Sequence, residues 1–174
     1  NNKNLEDNGL RPIAVGVEGE AGTGKTSIVM QLAKEKGMTL CKLNLSQLEE
    51  IGDITGFPIK EYEVAWIEKG QIKDKRWVLE SQTKNLDLRL KLTGKVRMSY
   101  APPAWLPTEE NPNGCILMLD DFSRASTMFM QAIMEIINTA EYISWKLPKY
   151  TSIVLTSNPD DGQYNVSSLD NAVK

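Results

Sequence analysis

The sequence has no histidine among its 174 residues and only two cysteines, Cys41 and Cys115. The absence of histidine excludes Ser-His-Asp and Cys-His catalysis, and it excludes any zinc site with an imidazole ligand. Two cysteines within apolar runs cannot build a disulfide framework. The sequence therefore predicts reduced thiols and a cytoplasmic protein.

Long apolar runs are also absent. The longest uninterrupted one is Cys115–Leu119, far shorter than the roughly 20 residues that cross a bilayer, so we expect no contact with a membrane. No basic and apolar leader opens the chain, which gives secretion no support. With 41% hydrophobic and 25% charged residues, the composition favours one globular domain over a disordered chain.

The chain as a whole has little net charge, but one segment of it is strongly basic. The net charge of −3 gives the whole chain no attraction for nucleic acid. Between Lys69 and Arg97, however, nine basic residues stand against three acidic ones, a balance of +6 that leaves −9 for the rest of the chain. This segment predicts contact with an acidic protein or with DNA. We favour a protein, because aromatic stacking residues do not accompany the charges as single-strand binders require.

The first part of the chain has the pattern of a strand, a loop and a helix. Residues 1–10 are polar and are expected to form a loose segment. Ile13–Val17 is short, apolar and partly β-branched, which is typical of a buried parallel strand. A helix is predicted at Lys25–Lys36 with Gly37 as its C-terminal cap, and a second strand at Met38–Leu43. Four apolar residues share one face of that helix: Ile28, Val29, Leu32 and Ala33.

Residues 59–112 are expected to be an insertion that carries a basic β-hairpin. The first part is ambiguous, although Glu61–Ile72 has the pattern of a helix. From Leu86 to Tyr100 apolar residues alternate with charged ones, and the interruption at 93–95 predicts a hairpin with one apolar and one charged face. Prolines then indicate an extended connector without a helix.

The remaining elements return to an alternation of strand and helix. Cys115–Leu119 is an uninterrupted apolar strand, Tyr142–Trp145 has the pattern of a small hairpin, and Ser152–Leu155 is a third apolar strand. A helix between them has apolar residues at helical spacing and three methionines that we interpret as core filling: Phe129, Ile133, Ile136, Ile137, Met128, Met130 and Met134. The order predicts an α/β fold whose site lies at the carboxyl edge of a parallel sheet.

Residues Gly19–Thr26 match the phosphate-binding loop pattern at every specified position. Glycines let the backbone curl so that successive amide hydrogens point at phosphate oxygens, and the helix that follows adds the positive end of its dipole. Lys25 is placed to reach the β- and γ-phosphates of ATP, and the Thr26 hydroxyl to bind Mg²⁺. The predicted nucleotide cradle is Gly19, Glu20, Ala21, Gly22, Thr23, Gly24, Lys25, Thr26 and Ser27.

Polar side chains follow the second and third apolar strands. Asp120 ends a buried strand and is expected to organise the Mg²⁺ beside Thr26. Asp121 should point elsewhere, because neighbouring strand residues face opposite ways, and could orient or polarise the attacking water. Asn158 supplies an amide that can hydrogen-bond both the γ-phosphate and the water. We therefore predict Lys25, Asp121 and Asn158 as catalytic residues, and Thr26 and Asp120 as metal ligands.

Together these residues resemble the AAA+ ATPases, and more narrowly their MoxR-type branch, over Ile13–Lys174. The landmarks are Gly19–Thr26 (Walker A), Asp53–Gly56, Ala101–Trp105, Leu119–Ala125 (Walker B with its tail) and Thr156–Asn158 (sensor 1). The resemblance implies a three-layer α/β/α P-loop NTPase core with a parallel sheet and β-hairpin insertions. It also implies a homo-oligomeric ring, often a hexamer, that couples ATP hydrolysis to remodelling of another macromolecule, with a protein client expected. The segments Leu86–Tyr100 and Tyr142–Leu147 resemble the helix-2 and pre-sensor-1 insertions of this branch, which typically face the central channel.

Two departures from the family pattern bear on the rate. The family usually has Glu where this chain has Asp121. The shorter side chain draws the carboxylate back by about 1.5 Å, and misplacement near 1 Å can cost about a hundredfold in rate. The sequence also stops at Lys174, before the segment where the family carries its arginine finger, last core strand, helical lid and sensor 2 arginine. Since an arginine finger can be worth about 10³ to 10⁵ in rate, we expect ATP binding with slow hydrolysis.

Two other functions stay open. A P-loop kinase acting on a small molecule would use the same loop, but it needs an arginine-rich lid and an acceptor pocket, and the sequence shows neither run. A nucleotide-dependent binding switch would use its ATP state only to change partner contacts, and Asp121 supports that function.

Overall fold

The fold is built on a parallel sheet with helices on both faces. The computed structural model describes residues 2–9 and 13–159. Its elements are α1 (Asn2–Asp7), β1 (Val15–Glu18), α2 (Lys25–Lys36), β2 (Thr39–Asn44), α3 (Gly52–Thr55), β3 (Phe57–Glu68), β4 (Gln71–Leu79), α4 (Glu80–Thr83), β5 (Leu90–Ala101), β6 (Cys115–Asp120), α5 (Thr127–Thr139), β7 (Glu141–Tyr142), β8 (Trp145–Lys146) and β9 (Thr151–Ser157). The main sheet has the order β1-β9-β6-β2, and every neighbouring pair is parallel. The predicted α/β class is therefore confirmed, and the carboxyl ends of these strands meet at one edge.

Strand β6 shows why three layers form. Ile116 and Met118 point to one side of the sheet, where they pack with Val29 and Ala33 of α2. The alternate residues of the strand, Cys115, Leu117 and Leu119, point to the other side. There they enter a larger core with Phe129, Ile133 and Ile136 of α5. A strand buried on both faces needs apolar residues throughout, which is the uninterrupted run seen in the sequence.

Helix α2 begins and ends at the predicted residues, but the buried apolar faces of α2 and α5 are narrower than expected. Gly37 ends α2 with a left-handed φ of 62°. On that helix Val29 and Ala33 are buried, whereas Ile28 is 65% and Leu32 is 43% exposed. Met128 is likewise exposed at the start of α5, so the prediction that it fills the core is wrong. Each helix touches the sheet along only one stripe, and side chains beside the stripe stay in solvent.

The first strand and the first residues also differ from expectation. Among the described residues β1 pairs only with β9, so it lies at a sheet edge and Val15 is exposed rather than buried. Residues 1–10 were expected to be loose, yet part of them forms α1. The Glu6 carboxylate accepts a hydrogen bond from the Tyr150 amide at 2.7 Å, and Asp7 accepts one from the Tyr150 hydroxyl at 3.1 Å.

The insertion is a three-stranded antiparallel sheet in the order β4-β3-β5, and it corrects two predictions. The segment Glu61–Ile72 is not a helix, because a tight turn at Lys69–Gly70, with φ values of 50° and 78°, joins β3 to β4. Leu86–Tyr100 is not a hairpin: β5 is one strand paired along its length with β3, and residues 93–95 form an irregularity in the pairing opposite Glu63.

A junction of aromatic side chains fixes the insertion to the core. The Trp105 indole donates to the backbone carbonyl of Asp53 at 2.9 Å, and the Trp145 indole donates to that of Thr55 at 2.9 Å. The two rings meet edge to face with centroids 5.7 Å apart. Gly56 lies at the same junction with φ 81°, and a Cβ atom there would lie 1.8 Å from the Ala101 carbonyl oxygen.

The small predicted hairpin is present as β7 and β8, and Ser144 in its turn contacts the insertion. Its hydroxyl accepts from the Tyr100 amide at 2.8 Å and donates to the Tyr100 carbonyl at 2.9 Å. The expectation that the sequence reaches only Lys174, before the arginine finger and the lid, concerns residues outside those that the structure describes. Within the part of the chain that the structure describes, no helix is both long and apolar enough to cross a membrane.

Candidate functional site

The glycine-rich loop opens into a cleft at the carboxyl edge of the main sheet. Gly22 and Gly24 adopt left-handed φ values of 79° and 88°, which favour glycine. Gly24 directly precedes α2, so the first amides of that helix and its positive dipole end face the loop. The cleft has a volume of about 390 Å³ and is lined by Ala21, Gly22, Gly24, Lys25, Thr26, Ser27, Asp120, Asp121, Arg124 and Asn158.

Lys25 ties the loop to the end of β9. Its ammonium donates to the carbonyl oxygens of Gly19 at 2.6 Å and Glu20 at 2.9 Å. A third bond, also 2.9 Å long, goes to the side-chain oxygen of Asn158, which is 8% exposed. The lysine and the amide predicted to act together therefore touch each other in the structure.

Asp120 lies among donors from three other elements. The Thr26 hydroxyl lies 3.2 and 3.3 Å from its two carboxylate oxygens, and the Thr156 hydroxyl donates to it from β9. The Lys42 ammonium, from β2, lies 2.9 Å from Oδ2. Burial raises the pKa of the Asp120 carboxyl, but hydrogen bonds from Thr156 and Lys42, the Lys42 charge and the Thr26 hydroxyl outweigh it. The net pKa is lowered, which keeps this group ionised at neutral pH.

Thr26 and Asp120 are suited to hold Mg²⁺. They supply one hydroxyl and one ionised carboxylate, the hard oxygen ligands that Mg²⁺ prefers. Among the described residues, no group of three or more Asp, Glu, His or Cys side chains is placed to hold an ion by itself. Two protein oxygens fit a cation that keeps several waters and shares its other ligands with phosphates.

Asp121 departs from the orientation predicted for it. Strand β6 ends at Asp120, and Asp121 has φ 57° and ψ 42°, the left-handed conformation that Asp tolerates better than most residues. Its amide donates to the Thr156 hydroxyl at 3.2 Å. The alternation of strand side chains therefore does not reach this position, and both residues line the same cleft.

The other predicted cradle residues shape the loop instead of lining the cleft. Gly19 and Glu20 offer their carbonyls to Lys25, and the Thr23 hydroxyl donates to the Glu20 carbonyl at 2.8 Å. These bonds hold the loop in its curled form.

Sequence reasoning missed three residues of the site. Thr156 and Arg124 lay inside quoted landmarks without an assigned role, yet Thr156 holds Asp120 and Arg124 lines the cleft. Lys42 carried a usable signal, because it is a lone charge in an otherwise apolar strand segment. Its partner could not be read from the sequence, since the ion pair depends on the neighbouring positions of β2 and β6.

Comparisons with known proteins bear on this site. One solved structure similar to this chain is that of a candidate ATPase from Cytophaga hutchinsonii ATCC 33406, with 18% sequence identity and a TM-score of 0.48. The similarity covers 92% of this chain but 38% of the other, so the chain spans well under half of that protein's length. Among curated proteins no match was found. The family model for the ATPase family associated with various cellular activities (AAA) matches residues 15–168, which include the loop and every polar group described above, and the chain therefore belongs to the AAA family of ATPases.

Proposed function

We propose that this chain is the ATP-binding, Mg²⁺-dependent hydrolytic core of a MoxR-type AAA+ machine. It assembles into a ring and couples its nucleotide state to the remodelling of a macromolecular partner. The observation that carries the proposal is the pair of contacts between the loop and the strand ends, Lys25 with Asn158 and Thr26 with Asp120. They gather a cation, a hydroxyl, a carboxylate and an amide in one cleft.

Each of these groups has a role in hydrolysis of the terminal phosphoanhydride. The amides around Gly22 and Gly24 hold the phosphate chain, and Lys25 neutralises charge on its terminal oxygens. Thr26 and Asp120 hold Mg²⁺, which supplies further charge neutralisation when bound. Asp121 and Asn158 orient a water for attack on the γ-phosphorus, and ADP leaves as the bond to the β-phosphate oxygen breaks.

A nucleotide-dependent binding switch is the second candidate, and Asp121 favours it. A carboxylate one methylene shorter than the family's usual Glu reaches less far toward the water, so bound ATP would persist long enough to hold a partner. Both candidates share the nucleotide site and differ only in the rate of hydrolysis.

The first experiment measures ATP affinity by calorimetry in the presence of Mg²⁺. Lys25→Ala should weaken binding about tenfold to a hundredfold, because a bond to a charged phosphate is lost. Lys34→Ala is the matched control, since Lys34 is exposed on the same helix and should leave affinity unchanged. Equal affinity of Lys25→Ala and the wild type would overturn the proposed function.

A further inference from the structure

The insertion sheet has one face rich in cations. Residues paired across antiparallel strands point to the same side, so Ala65 shares a face with its partners Lys75 and Lys91, and Glu63 shares that face with Trp77. Glu61 and its partner Arg97 continue the same face. We call the side chains of Lys75, Trp77, Lys91, Lys95 and Arg97 the basic face.

Two carboxylates on the central strand hold these cations in place. Glu63 is 8% exposed, and its oxygens lie 3.9 Å from the ammonium groups of Lys75 and Lys95 on the two outer strands. Arg97 donates to Glu61 at 2.7 Å. Four cations stand against two carboxylates, and the carboxylates lie beneath them, so the outer surface is positive.

An aromatic ring is part of the same surface. The Arg97 guanidinium lies over the Trp77 ring, 4.4 Å from its centroid. Along the chain, aromatic residues do not accompany the charges, which favoured a protein over nucleic acid as the partner. Pairing of the strands brings an indole and a guanidinium together on this face, so the reason for favouring a protein does not apply to the folded arrangement.

A cleft of about 620 Å³ opens beside Trp77 at the edge formed by β4. Its lining is Arg76, Trp77, Val78, Ser81, Gln82, Asn85, Leu86, Asp87 and Leu90. Arg76, Val78, Leu86 and Leu90 belong to the opposite face of the sheet, so the cleft lies at the border between the two faces. This cleft is therefore not counted as part of the basic face.

The opposite face of the sheet is the packed one. Val64, Val78 and Leu90 form a small core there, with Leu86 from the following loop packed against it. The Tyr62 hydroxyl on that face donates to Glu80 of α4 at 3.4 Å. The cations of the basic face stay open to solvent, with side chains of Lys75, Lys95 and Arg97 that are 47%, 67% and 48% exposed.

We propose that the basic face binds single-stranded nucleic acid. Its cations neutralise successive phosphates, and an unpaired base stacks on the Trp77–Arg97 pair, a contact that every base can make. An acidic peptide would satisfy the charges but would have no use for the stacked indole. This inference goes beyond the proposed ATPase and does not depend on it.

The test is fluorescence anisotropy of a labelled 20-nucleotide oligothymidylate. The protein is titrated into it in the absence of ATP at several salt concentrations. Binding should weaken with salt. Trp77→Ala should weaken it about tenfold to a hundredfold, while Trp77→Phe should retain most of the affinity. Lys91→Glu should weaken binding and make the slope of log affinity against log salt shallower by about 0.7 or more. The matched control is Lys60→Glu, an exposed lysine of the opposite face, which should change little.

Three results would overturn the proposal. One is an absence of salt-sensitive binding by the wild type, and another is equal weakening by Lys91→Glu and Lys60→Glu. The third is competition by polyglutamate as strong as by unlabelled oligothymidylate, with no effect of Trp77→Ala, which would assign the face to an acidic protein. Lys25→Ala should bind the oligonucleotide as the wild type does, so failure here and failure of the ATPase proposal are distinguishable.

Discussion

Asp120 shows how much a single side chain depends on residues distant in the sequence. Its partners Thr26, Lys42 and Thr156 come from a helix and two strands. Two of them are neutral hydroxyls that can stay in place when a cation binds. Lys42 is different, because its positively charged ammonium lies 2.9 Å from an oxygen of the carboxylate that would bind Mg²⁺.

We therefore predict that Lys42→Met has opposite effects on stability and on metal use. Loss of the partly exposed ion pair should lower the free energy of unfolding by about 1 kcal/mol in the absence of metal. The Mg²⁺ concentration for half-maximal ATP binding should fall by about threefold to tenfold, because a repelling charge is gone. Urea unfolding and a Mg²⁺ titration of ATP binding measure the two effects, with Lys34→Met as control. A higher Mg²⁺ requirement in Lys42→Met would contradict this account.

Asp121→Glu tests the reach of the second carboxylate. The added methylene should bring the group closer to the attacking water and raise kcat by about tenfold to a hundredfold, with little change in ATP affinity. Steady-state phosphate release measures kcat, and Asp74→Glu on the insertion sheet serves as control. An unchanged kcat would favour the binding switch over the attenuated ATPase.

At this scale the sequence predicts residues whose spacing is fixed by local chemistry. The loop from Gly19 to Thr26 must curl around phosphate, so its glycines and its lysine recur at set positions, and the structure places them around one cleft. The role of Lys42 could not be predicted, because its partner is set by which strands become neighbours. Asp121 was misjudged for a local reason, since a left-handed residue ends the alternation of the strand.

Among the elements, the junction around Gly56 determines how the insertion sheet is attached. Asp53 and Thr55 offer backbone carbonyls to two tryptophans that come from the connector and from the small hairpin. Gly56 then turns the chain into β3 so close to Ala101 that an added Cβ atom would lie 1.8 Å from the Ala101 carbonyl oxygen.

Gly56→Ala should lower the free energy of unfolding by about 3 kcal/mol or more, because a methyl group overlaps backbone and the φ is left-handed. Gly70→Ala is the matched control: its φ is also left-handed, at 78°, but nothing lies within 4 Å of the added atom. That variant should cost only about 1 kcal/mol. Urea denaturation compares the two, and similar losses would show that the close approach at Gly56 is relieved at little cost.

Elements with a buried helical or uninterrupted apolar pattern could be predicted, whereas the insertion could not. The alternation from Leu86 to Tyr100 shows correctly that this segment is extended, but alternation does not say which strand is its partner. Residues 93–95 have turn-forming chemistry that serves equally well for an irregularity within one strand. The pairing is settled by contacts with β3, which lies some thirty residues earlier in the chain.

At the scale of the whole molecule, charge is divided between two parts. The basic segment from Lys69 to Arg97 lies within the insertion of residues 59–112, while the rest of the chain carries −9. The positive charge available to a nucleic-acid backbone is therefore concentrated on the insertion.

The proposed ring predicts a change of mass with nucleotide. In the presence of ATP and Mg²⁺ the native mass of the full-length protein should rise to several times, and in a hexamer to six times, that of one chain. Light scattering coupled to size exclusion measures this mass, with Lys25→Ala as the variant that should not respond. A mass unchanged by ATP in the wild type would sink the proposed assembly.

The three bonds of Lys25 have a consequence for the energetics of nucleotide binding. A triphosphate that binds would replace contacts that hold the loop against the end of β9. Its apparent binding free energy is therefore the difference between the free energy of its own contacts and that of the contacts it replaces. A contact that raises the free energy of unfolding without nucleotide therefore lowers the affinity for the triphosphate. A change that removes the bond between Lys25 and Asn158 should lower the free energy of unfolding measured without nucleotide. It should also reduce the free energy that a triphosphate spends on replacing the contacts of Lys25.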